Sequence, residues 1–367
     1  MINLKLIYVS DAFAVYGGME RVLADKMNHL AAHSGYDIVL LTVNQGCHAV
    51  PFPLHPQVKH MDLGVRLHQQ YAYHGIRRFI KHLELMRLLK HRMRAALQQV
   101  NPDVLIGVKL DFVGVLNQVR ENIPLIVESH TLCQAERLEH AGWLRRLHVW
   151  SFLRQVRQAD EVVALTEGDA RDWSKYHSQV RVIPNVVHLN NTETHSPCYA
   201  KSILFVGRFT EQKDIDSLLK IWSLVHARHP DWILEVYGDG DISAPGVQVH
   251  KPVSQMTACY MESSMLVLTS RYEPFGLVLP EAMSCGLPVV AFDCPYGPGE
   301  IITDGVDGFL IKNRDINAFA ERVCQLIEQP ELRARMGQAG TQSSQRYRAD
   351  VIMPKWKALF EQLCRKE

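Results

Sequence analysis

The sequence predicts an α/β protein built from two doubly wound halves. Short apolar runs alternate with helical stretches along the chain, and this pattern starts again near residue 201. Near-continuous apolar runs of this kind are typical of parallel strands that are buried on both faces. Between the two sets, residues 183–201 are polar, contain proline and show no periodicity. We therefore expect two parallel sheets, each covered by helices, that are joined by an irregular connection.

The first half contains five predicted strands. Residues 4–10 (LKLIYVS) form the first, and a loop with Tyr-Gly-Gly leads from it to a helix. Gly35 is expected to end that helix, because glycine readily adopts the left-handed conformation found at helix ends. The other four strands are expected at 37–43, 102–108, 124–130 and 160–166. This domain is expected to span residues 1–188, with a linker at 189–200.

The second half repeats the arrangement over residues 201–349. A strand at 201–207 is followed by a helix beginning near residue 214. Further strands are expected at 232–238, 265–270, 287–292 and 308–311. Ligands of such folds bind outside the carboxyl ends of the parallel strands, so those ends are the expected site.

Composition narrows the class of protein. The chain has 367 residues, of which 47% are hydrophobic and 22% charged, as in an ordinary globular protein of about two domains. The net charge of +1 gives no global basic field, which argues against nucleic acid as a partner. Eight cysteines without a C-x-x-C pair indicate reduced thiols rather than disulfides or a zinc site. Without an apolar leader or a membrane-spanning run, the expected location is the cytoplasm.

Two carboxylates bracket an otherwise apolar stretch, SRYEPFGLVLPEAMSCGLPVVAF, at residues 270–292. Glu273 follows a predicted strand, and Glu281 falls in the first turn of a short helix that Pro280 is expected to begin and Gly286 to end. Gly276 between them would let a ligand approach the backbone closely. We interpret this stretch as an anion cradle with an acid on each side. The alternative is that Glu281 only faces the helix dipole and Glu273 is a solvated loop acid.

The whole stretch resembles the E-x-x-x-x-x-x-x-E element of the family-4 retaining glycosyltransferases. Further resemblances occur in the same order along most of the chain, at 15–22 (VYGGMERV), 206–214 (VGRFTEQKD), 236–241 (VYGDGD) and 297–311 (GPGEIITDGVDGFLI). The resemblance implies the GT-B fold, in which two Rossmann-like domains face each other across a cleft. It also implies that residues 350–367 form a final helix that crosses back to the N-terminal domain.

The resemblance implies a set of donor-binding roles in the second half. Glu273 is expected to bind hydroxyls of the transferred sugar as a catalytic residue, and Glu281 to accept hydrogen bonds from the ribose diol. Arg208 and Lys213 are expected to hold the diphosphate, although cations after a strand can also be plain surface residues. The backbone facing the sugar and diphosphate is expected to be that of Gly276, Leu277 and Val278.

Two further sites in the first half follow from the resemblance. His130 ends a predicted strand and occupies the position of a catalytic histidine that faces the donor sugar, although a lone histidine is more often structural. Gly17 and Gly18 would let the first loop approach the diphosphate or the acceptor.

The implied reaction is transfer with retention of configuration from a nucleotide-sugar, with a UDP-sugar as the expected donor. The implied acceptor is a glycan or a lipid-linked glycan. Negative charge gathers on the leaving phosphate, and in this family fixed cations and a helix N-terminus stabilise it instead of a metal ion. We interpret Asp-Gly-Asp at 239–241 as a turn, so that neither a metal nor another cofactor is expected. Val186 and Lys251 stand where many family members carry glycine, which leaves the nucleotide base open.

Two basic segments of the first half predict contact with an anionic membrane. Residues 66–94 contain eight arginines or lysines against one acid, Glu84, and their apolar residues recur at helical spacing. Residues 143–158 add four arginines, two tryptophans and no acid. Basic amphipathic helices can bind anionic lipid peripherally, here at the inner face of the cytoplasmic membrane. The alternative is a helix packed on the core with a solvated basic face.

Other functions remain open at this point. A GT-B nucleotide-sugar epimerase would release free sugar, and a phosphorylase would need pyridoxal phosphate and a longer chain. A Rossmann-type dinucleotide-binding protein would need G-x-G-x-x-G after its first strand, and VYGDGDISA lacks the third glycine. A non-catalytic sugar-nucleotide sensor would not need both glutamates and both cations.

Overall fold

A computed structural model describes residues 3–131, 133, 143–187, 189, 195–253 and 255–365, with the backbone alone over 143–148. Within these residues the chain forms two compact units. The first comprises residues 1–183 together with 353–367, and the second comprises 184–352. The predicted α/β class with two parallel sheets is confirmed.

The first unit contains a seven-stranded sheet in which every strand pairs in parallel, in the order β3-β2-β1-β4-β5-β6-β7. Its strands are β1 (Lys5–Ser10), β2 (Asp37–Thr42), β3 (Val58–Asp62), β4 (Val104–Gly107), β5 (Leu125–Glu128), β6 (Glu161–Ala164) and β7 (Val180–Val182). Its helices are α1 (Gly18–Ser34), α2 (Gly75–Val100), α3 (Val113–Val119), α4 (Trp143–Val156) and α5 (Glu167–Ser174). The fully buried Trp173 of α5 belongs to the core on one face of this sheet.

The second unit contains a six-stranded parallel sheet in the order β10-β9-β8-β11-β12-β13. Its strands are β8 (Ser202–Val206), β9 (Ile233–Tyr237), β10 (Val247–His250), β11 (Met265–Leu268), β12 (Val289–Phe292) and β13 (Gly308–Ile311). Its helices are α6 (Ile215–Arg228), α7 (Thr257–Met261), α8 (Val278–Ser284), α9 (Gly297–Ile301), α10 (Ile316–Glu328) and α11 (Pro330–Ser344). A last helix, α12 (Ala349–Cys364), ends among the residues that group with the first unit.

Several predicted ends agree with the local conformation. Gly35 follows α1 with a φ of 68°, the left-handed conformation that favours glycine. Gly286 follows the cap residue of α8 with a φ of 83°. The prediction that Pro280 begins this helix is wrong, because α8 starts two residues earlier at Val278, and Leu277 already has helical dihedrals. A proline is compatible with this position because the N–H groups of a first helical turn need no intrahelical acceptor.

The connection between the two sets of strands is irregular where it is described. Residues 183–187, 189 and 195–201 lie in neither a helix nor a strand. Ser196 fastens its end to the second unit, since its backbone N–H donates to the carbonyl of Cys285 at 2.8 Å and its hydroxyl donates to that of Ser263 at 2.7 Å.

Candidate functional site

In the second unit, the predicted site residues lie at the carboxyl ends of the central strands. Arg208 follows β8, Glu273 follows β11, and Lys213 lies just before α6. Asp214, which caps α6 by accepting from the backbone N–H of Ser217, fixes the position of Lys213 in the chain. Arg208 is exposed, and Lys213 is mostly covered.

Lys213 and Glu273 contact each other directly. The ammonium of Lys213 donates to Oε1 of Glu273 at 2.5 Å, and the hydroxyl of Ser270 donates to the same oxygen at 2.6 Å. An ammonium carries three donors and a carboxylate accepts at two oxygens, so both groups keep capacity for a ligand. The structure therefore joins a cation predicted for phosphate and an acid predicted for a sugar into one preorganised pair.

The backbone of Glu273 is fixed from the other side of its loop. Its N–H donates to the carbonyl of Pro295 at 2.6 Å, and its own carbonyl accepts from Tyr296 at 2.8 Å and from Gly297 at 3.0 Å. A side chain at Gly297 would collide with the Phe275 carbonyl, because an added Cβ would lie 1.7 Å from its oxygen. The close approach of these two loops thus requires glycine at 297.

Two arginines and the carboxylate of Asp214 form a second charged cluster, next to Lys213 in the chain. Arg314, in the turn after β13, donates to the carbonyl of Ser270 at 2.9 Å and to that of Thr269 at 3.1 Å, and it also binds the carboxylate of Asp214. Arg271 approaches the same carboxylate at 3.2 Å. Burial alone would raise the pKa of Asp214, but hydrogen bonds from Ser217 and the two arginine charges lower it overall. The loop that carries Glu273 is thereby tied to the turn that carries Lys213.

Glu281 lies in α8 and is nearly buried. Its carboxylate accepts a hydrogen bond from the hydroxyl of Tyr260, on α7, at 2.9 Å. Gly276, which precedes α8, has a φ of 93°, so its left-handed conformation requires glycine. Leu277 and Val278, which follow it, are half-buried at the start of α8.

The Asp-Gly-Asp sequence at 239–241 lies just after β9, where the chain bends. Asp239 accepts from the backbone N–H of Phe209 at 2.7 Å. A Cβ at Gly238 or at Gly240 would lie 2.4 Å or 2.1 Å from the Phe209 ring, so the ring packs where side chains would be. These glycines therefore serve the packing of Phe209.

His130 and the two glycines of the first loop belong to the first unit. His130 lies two residues beyond the end of β5, with its Nε2 atom 3.2 Å from Oε1 of Glu128. Gly17 precedes α1 and Gly18 is the first residue of the helix. A Cβ at Gly17 would lie 2.3 Å from the Glu20 carboxylate, so the absence of a side chain makes room for Glu20 at the helix start.

The sequence analysis did not identify the residues that fix the predicted site residues and their loops by hydrogen bonds. Ser270 begins the motif and could have been found there, whereas Arg314, Asp214 and Tyr260 carry no local signal. The missed pair in the first unit is Lys26 and Glu128, which contact each other while almost fully buried.

The start of α2 has exposed apolar and basic residues. Residues 71–80 are all exposed, among them Ile76 at 79% and Phe79 at 62%. The buried residues of α2 begin only at Leu85. In α4, Trp150 is 60% exposed, and the side chains of 143–148 lie outside the described residues. Within the described part of the chain, no helix is both long enough and apolar enough to span a bilayer.

Comparisons with known proteins agree with one another. Residues 16–191 match the family described as Glycosyltransferase Family 4, and residues 196–343 match Glycosyl transferases group 1. The chain is 28% identical over 373 residues to the amylovoran biosynthesis glycosyltransferase AmsD of Erwinia amylovora, covering 96% of this chain and 98% of that protein. It is also 28% identical over 223 residues to a poly(ribitol-phosphate) alpha-N-acetylglucosaminyltransferase of Staphylococcus aureus, covering 57% of this chain and 45% of that protein.

Solved structures share the fold at lower identity. The lipopolysaccharide outer core galactosyltransferase WaaB aligns with a TM-score of 0.73 at 17% identity, over 98% of this chain and 100% of that one. HepE of Anabaena, in complex with UDP and glucose, aligns with a TM-score of 0.76 at 17% identity, over 98% and 100%. At these identities the likeness concerns the fold alone.

Proposed function

Because this chain belongs to the family-4 glycosyltransferases of the GT-B fold, we propose that it transfers a sugar, with retention of configuration, from a UDP-sugar to a growing cell-envelope glycan. The direct contact between Lys213 and Glu273 supports the proposal, since a cation that we predict to bind phosphate contacts an acid that we predict to bind the sugar. The relatives named above are transferases, and one acts in amylovoran biosynthesis. This favours a sugar transferase over the epimerase, phosphorylase, sensor and dinucleotide-binding alternatives.

In the proposed mechanism, positive side chains stabilise the departing diphosphate. Lys213 keeps donors that can bind the leaving phosphate while it holds Glu273, and the exposed Arg208 binds the same group. The backbone N–H groups of residues 276–278 complete the phosphate site. These groups supply the charge stabilisation for which other glycosyltransferases use a metal ion, so we propose transfer without one.

The sugars are held by acceptors. Glu273 binds hydroxyls of the transferred hexose or N-acetylhexosamine, and Glu281, oriented by Tyr260, accepts from the two ribose hydroxyls. His130 is a further catalytic residue of the proposed reaction, and Gly17 and Gly18 are proposed to let the first loop bind the diphosphate or the acceptor. The leaving phosphate helps to deprotonate the attacking acceptor hydroxyl on the same face of the sugar.

Substitution of the central pair tests the proposal. A thermal-shift screen of nucleoside diphosphates and their sugars first identifies the donor, since a ligand that binds only the folded state stabilises it. With that donor, Lys213→Ala and Glu273→Ala are each expected to lower the transfer rate by at least about a hundredfold. The matched controls are Lys220→Ala and Glu262→Ala, which remove exposed charges of the same type. Near-wild-type turnover in either site variant, or no stabilisation by any nucleotide, would refute the proposal.

We further propose that transfer takes place at the cytoplasmic leaflet, onto a lipid-linked acceptor, with the start of α2 bound to anionic lipid. Ile76, Phe79 and Ile80 are exposed apolar residues at the start of this helix, interleaved with the cations Arg77 and Arg78. Apolar residues can enter the interface while the cations face acidic headgroups, at about 1 kcal/mol per cation near the surface. The complementarity of charge favours an anionic membrane over another protein as the occupant of this face.

Liposome flotation tests this membrane contact. The wild-type chain is expected to float with vesicles that contain phosphatidylglycerol. With vesicles of phosphatidylcholine alone, it is expected to stay unbound in the bottom fraction. Triple reversal of Arg77, Arg78 and Lys81 to glutamate should abolish flotation. The control reverses Lys220, Lys251 and Arg335, which are exposed cations of the second unit. Binding that does not depend on anionic lipid, or that survives the α2 reversal, contradicts the proposal.

A further inference from the structure

A buried ion pair lies beside the predicted catalytic histidine. Lys26, on the inner face of α1, donates to both carboxylate oxygens of Glu128, the last residue of β5. The two side chains are only 2% and 1% exposed. The ammonium also lies 4.0 Å from the ring centroid of Trp356 and 5.2 Å from that of Tyr8. The charges are therefore enclosed by protein on several sides.

A buried ion pair of this kind usually contributes little to the free energy of unfolding. Removing two charges from water costs several kcal/mol per ion, and apolar replacements of similar volume are often neutral or stabilising. Burial would raise the pKa of Glu128, but the charge of Lys26, with a contribution from His130, lowers it to about 2. Glu128 is thus a carboxylate at neutral pH, and the pair calls for an explanation in terms of its neighbours.

The neighbouring residue that can make use of the ionised Glu128 is His130. Residues two apart along an extended chain point to the same side, which places His130 on the side of Glu128. Its Nε2 atom is buried and lies 3.2 Å from Glu128 Oε1, and it makes no well-aligned hydrogen bond to any described residue, Glu128 included. The carboxylate of Glu128 is thus within reach of Nε2 and can select the orientation of the imidazole ring.

The residue between them is held from the other side. Ser129 accepts a hydrogen bond from the indole N–H of Trp173 at 3.1 Å and donates to the carbonyl of Thr131 at 2.7 Å. The backbone on both sides of His130 is therefore fixed, and rotation of its side chain is the freedom that remains.

We propose that Glu128, kept ionised by Lys26, is a positioning residue for His130 in the transfer reaction. A carboxylate beside one ring nitrogen holds the proton on that nitrogen and fixes the plane of the imidazole. With the proton on Nε2, the other nitrogen, Nδ1, has a free lone pair that can accept a hydrogen bond from a sugar hydroxyl. This inference rests on the proposed function only for the role of His130 itself.

The experiment removes both charges together. Glu128→Gln alone leaves Lys26 as an unpaired buried charge and endangers the fold, so the test variant combines Glu128→Gln with Lys26→Met. The control combines Glu161→Gln with Arg181→Met, which removes an ion pair at the start of β6, the strand next to β5, at the amino ends of the strands rather than at their carboxyl ends. Circular dichroism establishes that both variants are folded.

The first readout does not depend on activity. Long-range proton–nitrogen spectra of the imidazoles report the tautomer, and His130→Ala identifies the His130 signal by its loss. The wild type is expected to show the Nε2-protonated form, the test variant a mixture, and the control the wild-type signal. An unchanged tautomer in the test variant overturns the proposal, whether or not a donor has been found.

The second readout is a mutant cycle on the transfer rate. The test variant is expected to lower kcat by about tenfold to a hundredfold, as for carboxylates that orient metal-bound histidines, with little change in the KM for the donor. In the His130→Ala background the same pair of substitutions should cost nothing more. Losses that multiply in the combined variant show that the pair acts independently of His130 and refute its positioning role.

Discussion

Asp169 is a carboxyl group that the first unit holds in an unfavourable environment. It lies in α5, is 2% exposed, and accepts from the backbone N–H of Cys133 at 3.1 Å. Burial raises its pKa to about 6, although hydrogen bonds from Cys133, Ser129 and Trp173 oppose that shift. The ionised form is therefore disfavoured in the fold relative to the unfolded chain.

The sign of the pH dependence follows from the direction of that shift. Between the unfolded value of 3.8 and about 6, the folded state binds more protons at this site than the unfolded state does. The free energy of unfolding therefore falls as pH rises through this window, and the loss is complete above about pH 6.

We expect Asp169→Asn to remove this loss. Asparagine keeps an oxygen for the Cys133 N–H, and it carries no charge. A shift of about two units corresponds to about 3 kcal/mol, so denaturant unfolding should show a gain of up to about that size at pH 7 and none near pH 4. The control, Asp172→Asn, removes a buried aspartate of the same helix that is paired with Lys175, and should give no such gain. A variant as pH-dependent as the wild type from pH 4 to 6 contradicts the assignment.

At the scale of the elements, the strands that the sequence predicted and those that it missed differ in position. All strands in the middle of each sheet were predicted, because burial on both faces gives them continuous apolar runs. The three that were missed, β3, β7 and β10, are all edge strands, with the sequences VKHMD, VRV and VQVH. An edge strand is covered on fewer sides, so polar residues interrupt the apolar run that identifies a strand.

Site residues that belong to contiguous motifs could likewise be predicted, whereas those that act through contacts distant in sequence could not. Glu273, Glu281 and Lys213 stand in contiguous motifs and could be identified from the sequence. Arg314 could not, because it contacts Ser270 from 44 residues away and becomes visible only when β13 is placed beside β12. Lys26 is 102 residues from Glu128, and within an amphipathic helix it reads as a surface cation.

We expect Arg314→Lys to weaken transfer through the loops that it joins. The guanidinium bonds two carbonyls of the loop after β11 and the carboxylate of Asp214 while lying 4.4 Å from the Phe292 ring, and an ammonium cannot make this planar set of contacts. Lost hydrogen bonds to a charged group typically cost about 1.5–3 kcal/mol, so the expected loss in kcat/KM is about tenfold or more.

The matched control for this substitution is Arg322→Lys. Arg322 also lies over an aromatic ring, at 4.6 Å from Phe309, but its hydrogen bond goes to Gln325 within α10. Transfer kinetics should be unchanged in the control. Equal kinetics in both variants would show that the Arg314 contacts do not position the site.

At the scale of the whole molecule, the two units differ in how the chain builds them. The second is one continuous segment, 184–352, whereas the first needs residues 353–367 from the far end of the chain. These residues supply Trp356 and Phe360, which are both buried, and their rings stack with centroids 5.7 Å apart. Phe360 packs against Tyr36, and Gln362 accepts from Arg181 at 2.9 Å. The first unit is therefore incomplete until the last residues have been made.

Truncation after residue 352 should consequently destabilise the first unit selectively. Loss of a buried Trp or Phe side chain typically costs about 3–5 kcal/mol, and a domain has only about 5–15 kcal/mol in total. The truncation also removes the Trp356 ring beside Lys26, so the buried ion pair gains access to water. In thermal unfolding we expect a transition at much lower temperature for the first unit. We also expect a second transition that UDP still raises, because the proposed nucleotide-binding side chains Arg208, Lys213 and Glu281 lie within 184–352. A chain ending at Cys364 should melt like the full-length protein, because it retains every buried residue of α12. If truncation after 352 leaves one unshifted transition, residues 353–367 contribute nothing essential to the first unit, and the discontinuous unit is not the unit that unfolds.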